Sequence, residues 1–279
     1  MNELRIYPCL WFAHEAEAAA AFYAATFAEG VIFSSSPQTV SFSIGGTRFL
    51  ALNGNPGTPI SPAVSYFVYC GGEAEIDRLY AALSEGGKVL MPLQGYDWSA
   101  RYAWVEDRFG VNWQLDIDPV RSTQTIVPCL LFANEKMHRA QAAVEAYTRI
   151  FPGSRKLMET PFPPESGVAT GALMFAQVKL GDFLLNVMSS TQAHDFDFSP
   201  GNSIVVTCDT QAQIDYFWEQ LGQGGSFDRC GWLKDAFGVS WQVVPSVLPQ
   251  LMADPARAPQ VVAAFLQMQK FDIAALLDA

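Results

Sequence analysis

Two glutamines stand at equivalent places in a repeated phrase. The stretch from Asp107 reads DRFGVNWQLDI and the stretch from Asp235 reads DAFGVSWQVVP, so Gln114 and Gln242 each follow a tryptophan. A neutral amide can accept and donate hydrogen bonds, but it brings no charge to a metal or a proton transfer. The other candidates for chemistry are five cysteines and three histidines. Cys9, Cys70, Cys129, Cys208 and Cys230 form no CxxC pair, and an odd count without short spacings makes a poor disulfide framework. Cys230, in the loose setting SFDRCGW, is the thiol to test first. His14, His138 and His194 lie at a strand-to-helix junction, a helix start and a loop, so no Cys–His pair on strands can be argued. The HDFD run at 194–197 reads as a solvated loop.

The elements that position these residues come in copies. IYPCLWF at 6–12 is echoed by IVPCLLF at 126–132. Cys70 is soon followed by EIDRLYAALSEGG, and Cys208 by QIDYFWEQLGQGG. Self-similarity over this span reads as tandem duplication of a domain of roughly 120 residues. We place the copies at 1–120 and 123–247, joined by RSTQT. Residues 248–279 have no counterpart and read as a helical extension of two short helices. Within each copy the order strand, helix, three strands occurs twice, from period-two and helical patterning with paired glycines as stops. The fold class expected is α+β.

Alternation on the last strand puts Val111, Trp113, Leu115 and Ile117 on one face and Asn112, Gln114 and Asp116 on the other. A turn at Arg108-Phe109 would pair Trp104 with Trp113 and Ala103 with Gln114. The second copy would pair Trp232 with Trp241 and Gly231 with Gln242. That leaves each glutamine beside a small residue.

The chain has 279 residues, 50% hydrophobic and 16% charged, with a formal net charge of −11. This composition supports a buried core. The charge argues against nucleic acid, whose phosphates are bound by clustered Lys and Arg, and no basic run suggests an anionic membrane surface. No apolar run approaches membrane-spanning length, and the N-terminus lacks the order of a secretion signal. A soluble, cytoplasmic protein is expected.

Together IYPCLWF and IVPCLLF, IGGTRFLALNG, EIDRLYAALSEGG and CGWLKDAFGVSWQ resemble the PhnB-like branch of the vicinal oxygen chelate superfamily, which includes glyoxalase I, bleomycin-resistance proteins and extradiol dioxygenases. The resemblance covers about residues 4–247. It implies tandem domains of paired βαβββ modules whose sheets curl around a cleft. It also implies metal-ligand positions at Pro8 and Pro128, near Ser65 and Ser203, and at Gln114 and Gln242. None of these matches the imidazole, thiolate and carboxylate set of zinc, iron or manganese sites, so no metal is expected.

PhnB-like chains often carry a ubiquinone-methyltransferase label, but the Gly-rich strand-to-helix turn that would hold an adenosyl donor is missing. The pairs Gly45-Gly46, Gly71-Gly72, Gly86-Gly87 and Gly224-Gly225 read as turns and helix stops. By alternation from the prolines, Cys9 and Cys129 point to the helix-covered face. Leu10, Phe12, Leu130, Phe132, Ser65, Ser203, Gln114, Gln242 and Cys230 then line the clefts, and Tyr96 and Trp98 in PLQGYDWSARY close over a ligand. The expected function is binding of a small organic molecule without metal or cofactor. The alternatives are a metal-dependent lyase or dioxygenase, and a non-catalytic structural protein. A homodimer is left open.

Overall fold

The computed structural model describes residues 5–55, 57–117, 123–168 and 170–279. Of the expected junction RSTQT at 121–125, Arg121 and Ser122 lie outside them, as does the expected end of the first copy at 120. The described chain runs four times through strand, helix and three strands. The first module is β1 (Arg5–Trp11), α1 (Ala16–Thr26), β2 (Val31–Ser35), β3 (Thr39–Ile44) and β4 (Thr47–Leu52). The second is β5 (Val64–Cys70), α2 (Glu73–Ser84), β6 (Lys88–Tyr96), β7 (Ser99–Glu106) and β8 (Asn112–Ile117). The third is β9 (Ile126–Phe132), α3 (Ala140–Ile150), β10 (Arg155–Pro161), β11 (Leu173–Leu180) and β12 (Phe183–Ser189). The fourth is β13 (Asn202–Cys208), α4 (Gln211–Gly222), β14 (Ser226–Phe227), β15 (Trp232–Lys234) and β16 (Ser240–Pro245). The fold is α+β, as expected. The extension holds three short helices rather than two: α5 (Leu248–Met252), α6 (Ala258–Phe265) and α7 (Ile273–Asp278). Among the described residues, no helix is long and apolar enough to cross a membrane.

The chain divides into two compact units, one from Pro8 to Asn202, the other joining the start of the chain, up to Tyr7, to Ser203–Ala279. The larger unit contains an eight-stranded sheet in the order β10-β11-β12-β9-β5-β8-β7-β6. Strands β5 and β9 pair antiparallel at its centre, flanked by the parallel pairs β5/β8 and β12/β9. One sheet therefore takes its second module from one sequence copy and its third from the other. The same unit carries a ladder β1-β4-β3-β2. The smaller unit carries β14-β15-β16-β13, with β13 and β16 parallel.

Alternation gives the eight-stranded sheet a packed inner face. Tyr66 and Trp113 lie on it, fully buried. The Tyr23 ring of α1 sits 5.2 Å from Trp113 and 6.1 Å from Phe42 of β3, and Phe49 sits 5.2 Å from Tyr66. Rings at these separations in edge and offset arrangements add to the burial of their area.

The β7–β8 hairpin differs from expectation by one residue. Trp104 pairs with Gln114 and Val105 with Trp113. The loop has three residues, not two: Asp107 N donates to Val111 O, and the loop ends in Gly110 at φ 82°. Three-residue hairpin loops ending in a left-handed glycine are a common class, and one extra residue exchanges the faces of one strand relative to the other. The second copy repeats this, with Gly238 at φ 91° and Trp232 paired with Gln242. Each glutamine thus lies beside a tryptophan, not beside Ala103 or Gly231.

A side chain fixes the loop. Asp107 Oδ1 accepts from Phe109 N (2.8 Å) and Val111 N (3.1 Å), and Oδ2 accepts from Trp113 Nε1 and Tyr23 OH, both at 2.8 Å. Asp235 repeats three of these bonds with Phe237 N, Val239 N and Trp241 Nε1. Asp107→Ala strands four donors, three of them buried, so a loss of about 3 kcal/mol is expected, against about 1 kcal/mol for Tyr23→Phe. Urea midpoints at unchanged slope measure both. Equal midpoints for the wild type and Asp107→Ala would refute the assignment.

Candidate functional site

The other face of the eight-stranded sheet carries the polar groups. From β5 it shows Ser65, Phe67 and Tyr69, and from β8 it shows Gln114, which pairs with Phe67. Ser65 pairs with Cys129 of β9, which pairs with Asn186 of β12. Phe67, Tyr102, Val127, Cys129 and Leu184 form its buried apolar cluster. Tyr69, Met91, Tyr96, Trp104, Phe175 and Met188 pack around that cluster and stay partly exposed. Helix α2 is tied to the opposite side, since Asp77 accepts from Arg101, which alternates with Tyr102 on β7.

Gln114 is the centre of a neutral polar chain. Its Nε2 donates to Ser65 Oγ at 2.7 Å, and its Oε1 accepts from the Tyr102 hydroxyl. Both Ser65 and Gln114 are buried. Tyr96 and Trp98 stack at 5.0 Å and 21°, and both stand edge-on to Tyr102, at 5.6 and 5.9 Å. Trp98 is 65% exposed. The structure brings together Ser65, Gln114, Tyr96 and Trp98, and places Tyr102 and Trp104 with them. A correct hairpin register would have shown both, since they alternate along β7 beside Gln114.

Leu130 and Phe132 do not belong to this face. Leu130 pairs with Val64 and faces inward with Tyr66, and Phe132 packs edge-on against Phe198 at 5.1 Å. Leu10 and Phe12 are likewise inward: Leu10 pairs with Ala51 on the Phe49 side of β4, and Phe12 contacts Phe109. Cys9 and Cys129 point the opposite way from expectation. The physical reason is that β9 is buried on both faces along its whole length, so its hydrophobicity pattern carries no phase.

In the smaller unit Gln242 Nε2 donates to Ser203 Oγ at 2.9 Å, the same bond as in the first copy. Cys230 stands where Tyr102 stands, two residues before the paired tryptophan. It has φ 56°, its Sγ donates to Phe265 O at 3.6 Å, and its N donates to Met268 O. It is thus turned to the helical extension.

The donor set does not fit a divalent metal. Pro8 and Pro128 share the inward faces of Leu10 and Leu130, and the remaining positions offer an amide, a hydroxyl and a thiol. Burial pushes the Cys129 thiol well above its ordinary range, opposed by a hydrogen bond with Ser65, so it stays protonated and ligates poorly. Among the described residues no three His, Cys, Asp or Glu side chains converge. In the HDFD loop Asp197 is paired with Lys136 at 2.6 Å, and His194 is hydrogen-bonded to Ser190. Burial pushes Cys70 and Cys208 up to about 12, and Cys230 upward as well. The four buried thiols should therefore resist dithionitrobenzoate at pH 8 and react only in denaturant, with Cys230 first. Rapid native labelling at Cys129 would contradict this packing.

A family profile described as 3-demethylubiquinone-9 3-methyltransferase matches residues 4–116 and again 124–244. The PhnB protein from Bacillus cereus is 31% identical over 40% of this chain and 98% of its own, with a TM-score of 0.38. Protein PA1353 from Pseudomonas aeruginosa is 27% identical over 39% and 94%, with a TM-score of 0.36. Glyoxalase I from Zea mays is 10% identical but covers 90% of this chain and 97% of its own at a TM-score of 0.59, a likeness of fold. No curated protein matches the chain.

Proposed function

The chain belongs to the PhnB-like family described as 3-demethylubiquinone-9 3-methyltransferase, and on that premise we propose that it binds a small, uncharged aromatic molecule on the outer face of the β5–β12 sheet, without a metal. The observation that carries this reading is the Ser65–Gln114–Tyr102 chain set among partly exposed aromatic rings. An apolar site with a few placed polar groups is the usual form of a small-molecule site. Ring faces bind flat apolar ligands, and neutral donors and acceptors orient them. The stacked Tyr96–Trp98 pair covers Tyr102, so a ligand reaching Gln114 would pack beneath it.

Methyl transfer, named in the family's description, has no donor site in this reading. Of the glycine pairs, Gly71-Gly72 does stand between a strand and a helix, unlike the turn or helix stop expected from sequence. Its Gly71 N–H is taken by the Glu75 carboxylate at 2.8 Å, which puts a negative charge where an anionic or carboxylate-bearing donor would bind.

The test is calorimetric titration of the full chain with naphthalene and 2-naphthol at pH 7. Binding of 2-naphthol is expected to weaken about tenfold in Trp98→Ala and by a similar factor in Gln114→Leu, each factor of ten being about 1.4 kcal/mol. Heat with neither compound, or 2-naphthol binding unaffected by both substitutions, would sink the proposal. Near-stoichiometric zinc, manganese, iron or nickel kept through dialysis would sink its metal-free part.

A further inference from the structure

A second neutral cluster lies on the same face, on the far side of Cys129. The register forms one row across four strands: Ser65, Cys129, Asn186 and Gln177. Asn186 Nδ2 donates to Tyr69 OH at 3.0 Å, and Gln177 Nε2 donates to Asn186 Oδ1 at 3.0 Å and to Tyr69 OH at 3.4 Å. The bonds of this cluster hold Gln177 with its amide nitrogen turned inward. Its carbonyl oxygen accepts nothing among the described residues, and its side chain is only partly buried.

We infer that Gln177, oriented by Asn186 and Tyr69, is the second hydrogen-bonding station of the proposed ligand face and accepts a proton donor at the ligand's far edge. The inference rests on the reading of this face given above and specifies its ligand class. Gln114 and Gln177 stand on strands four spacings apart, about 19 Å at the backbone, and their amides lean inward onto Ser65 and Asn186, which are two spacings apart, about 10 Å. Between them lies the buried apolar cluster, Cys129 with Phe67 and Leu184, and the partly exposed Phe175 ring stands edge-on against Phe67 at 5.9 Å. The hydrogen-bonding groups of both stations are neutral, and the nearest carboxylate on this face, Asp116, which pairs with Tyr102 and Tyr69, accepts from Ser99 Oγ. The complementary ligand is a flat, apolar, uncharged bicyclic molecule with a polar group at each end. One end meets the Gln114–Tyr102 pair and the other donates to Gln177 Oε1. An acceptor covered by an apolar ligand edge loses its water without replacement, so the two-ended ligand is favoured over the one-ended one.

The probes are 2-naphthol and 2,6-dihydroxynaphthalene, titrated calorimetrically into the full chain at pH 7, where both are uncharged. The wild type is expected to bind 2,6-dihydroxynaphthalene about tenfold tighter than 2-naphthol, the worth of one hydrogen bond to a fixed partner. Gln177→Leu is expected to bring the two affinities within about twofold of each other. Gln177→Ala replaces it if the leucine variant melts early. Equal affinity for both probes in the wild type, or a preference that survives at Gln177→Leu, would overturn the second station and leave the ligand face standing. Failure of both probes to bind would overturn the ligand face itself, and the station with it.

Discussion

One carboxylate determines how the repeated phrase is read. Asp107 is buried, and burial pushes its carboxyl above the usual range, against hydrogen bonds from Trp113, Tyr23 and two loop amides. A buried charge is tolerable only when its acceptor sites are filled, and here four donors fill them. In return the aspartate fixes a three-residue loop, and the loop fixes the register of β7 on β8. That register sends Trp113 into the core, where its indole N–H reaches the same carboxylate, and sends Gln114 to the other face beside Trp104. A slip of one residue would exchange the two faces. The tryptophan and glutamine of the phrase are therefore positioned by the residue at its start, and Asp235 does the same for Trp241 and Gln242.

The two copies use the phrase in different surroundings. In the second module the hairpin is long, with nine residues in β6 and eight in β7, and its aromatic tip stands edge-on to Tyr102. In the fourth module the hairpin shrinks to two and three residues. There Cys230 and Gly231 donate their backbone N–H groups to Met268 and Gln269, so the helical extension is stitched to the shortened hairpin. Phe271 lies so close to Gly231 that a side chain there would collide with its ring. The Ser–Gln bond survives in both copies, while the aromatic surroundings and the phenol belong to the first.

Much of the fold was legible in the sequence because its evidence is local. Helical spacing, glycine stops and the twice-repeated order of elements give the four modules directly. The glutamine face of β8 followed from alternation, because that strand mixes Asn112, Gln114 and Asp116 with Val111, Trp113 and Leu115. The same reasoning failed on β1 and β9. Both are buried on nearly every residue, so IYPCLWF and IVPCLLF have no polar residue to set the phase, and alternation from the prolines puts Leu10, Phe12, Leu130 and Phe132 on the wrong face. The hairpin register failed for a different reason: loop length depended on a side-chain acceptor, Asp107. Tyr69, Gln177 and Asn186 were out of reach, because they meet only through pairing of strands from different sequence copies.

That cross-copy pairing also explains why a site would form here at all. A strand face polar enough for binding must not collapse when it is empty. The amides of Gln114 and Asn186 each bond within their own cluster, to Ser65 and Tyr102 on one side and to Tyr69 and Gln177 on the other. Neutral amide–phenol contacts cost far less to bury than the carboxylate a metal would require, and each bond holds its neighbour's rotamer. Between the two clusters the β5–β9 pair supplies only Phe67, Val127 and Cys129, with no polar atom beyond a protonated thiol. The result is a face with neutral polar ends, a buried apolar middle and one carboxylate, Asp116, beside Tyr102 and Tyr69. Its preference among uncharged ligands would come from the spacing of those ends.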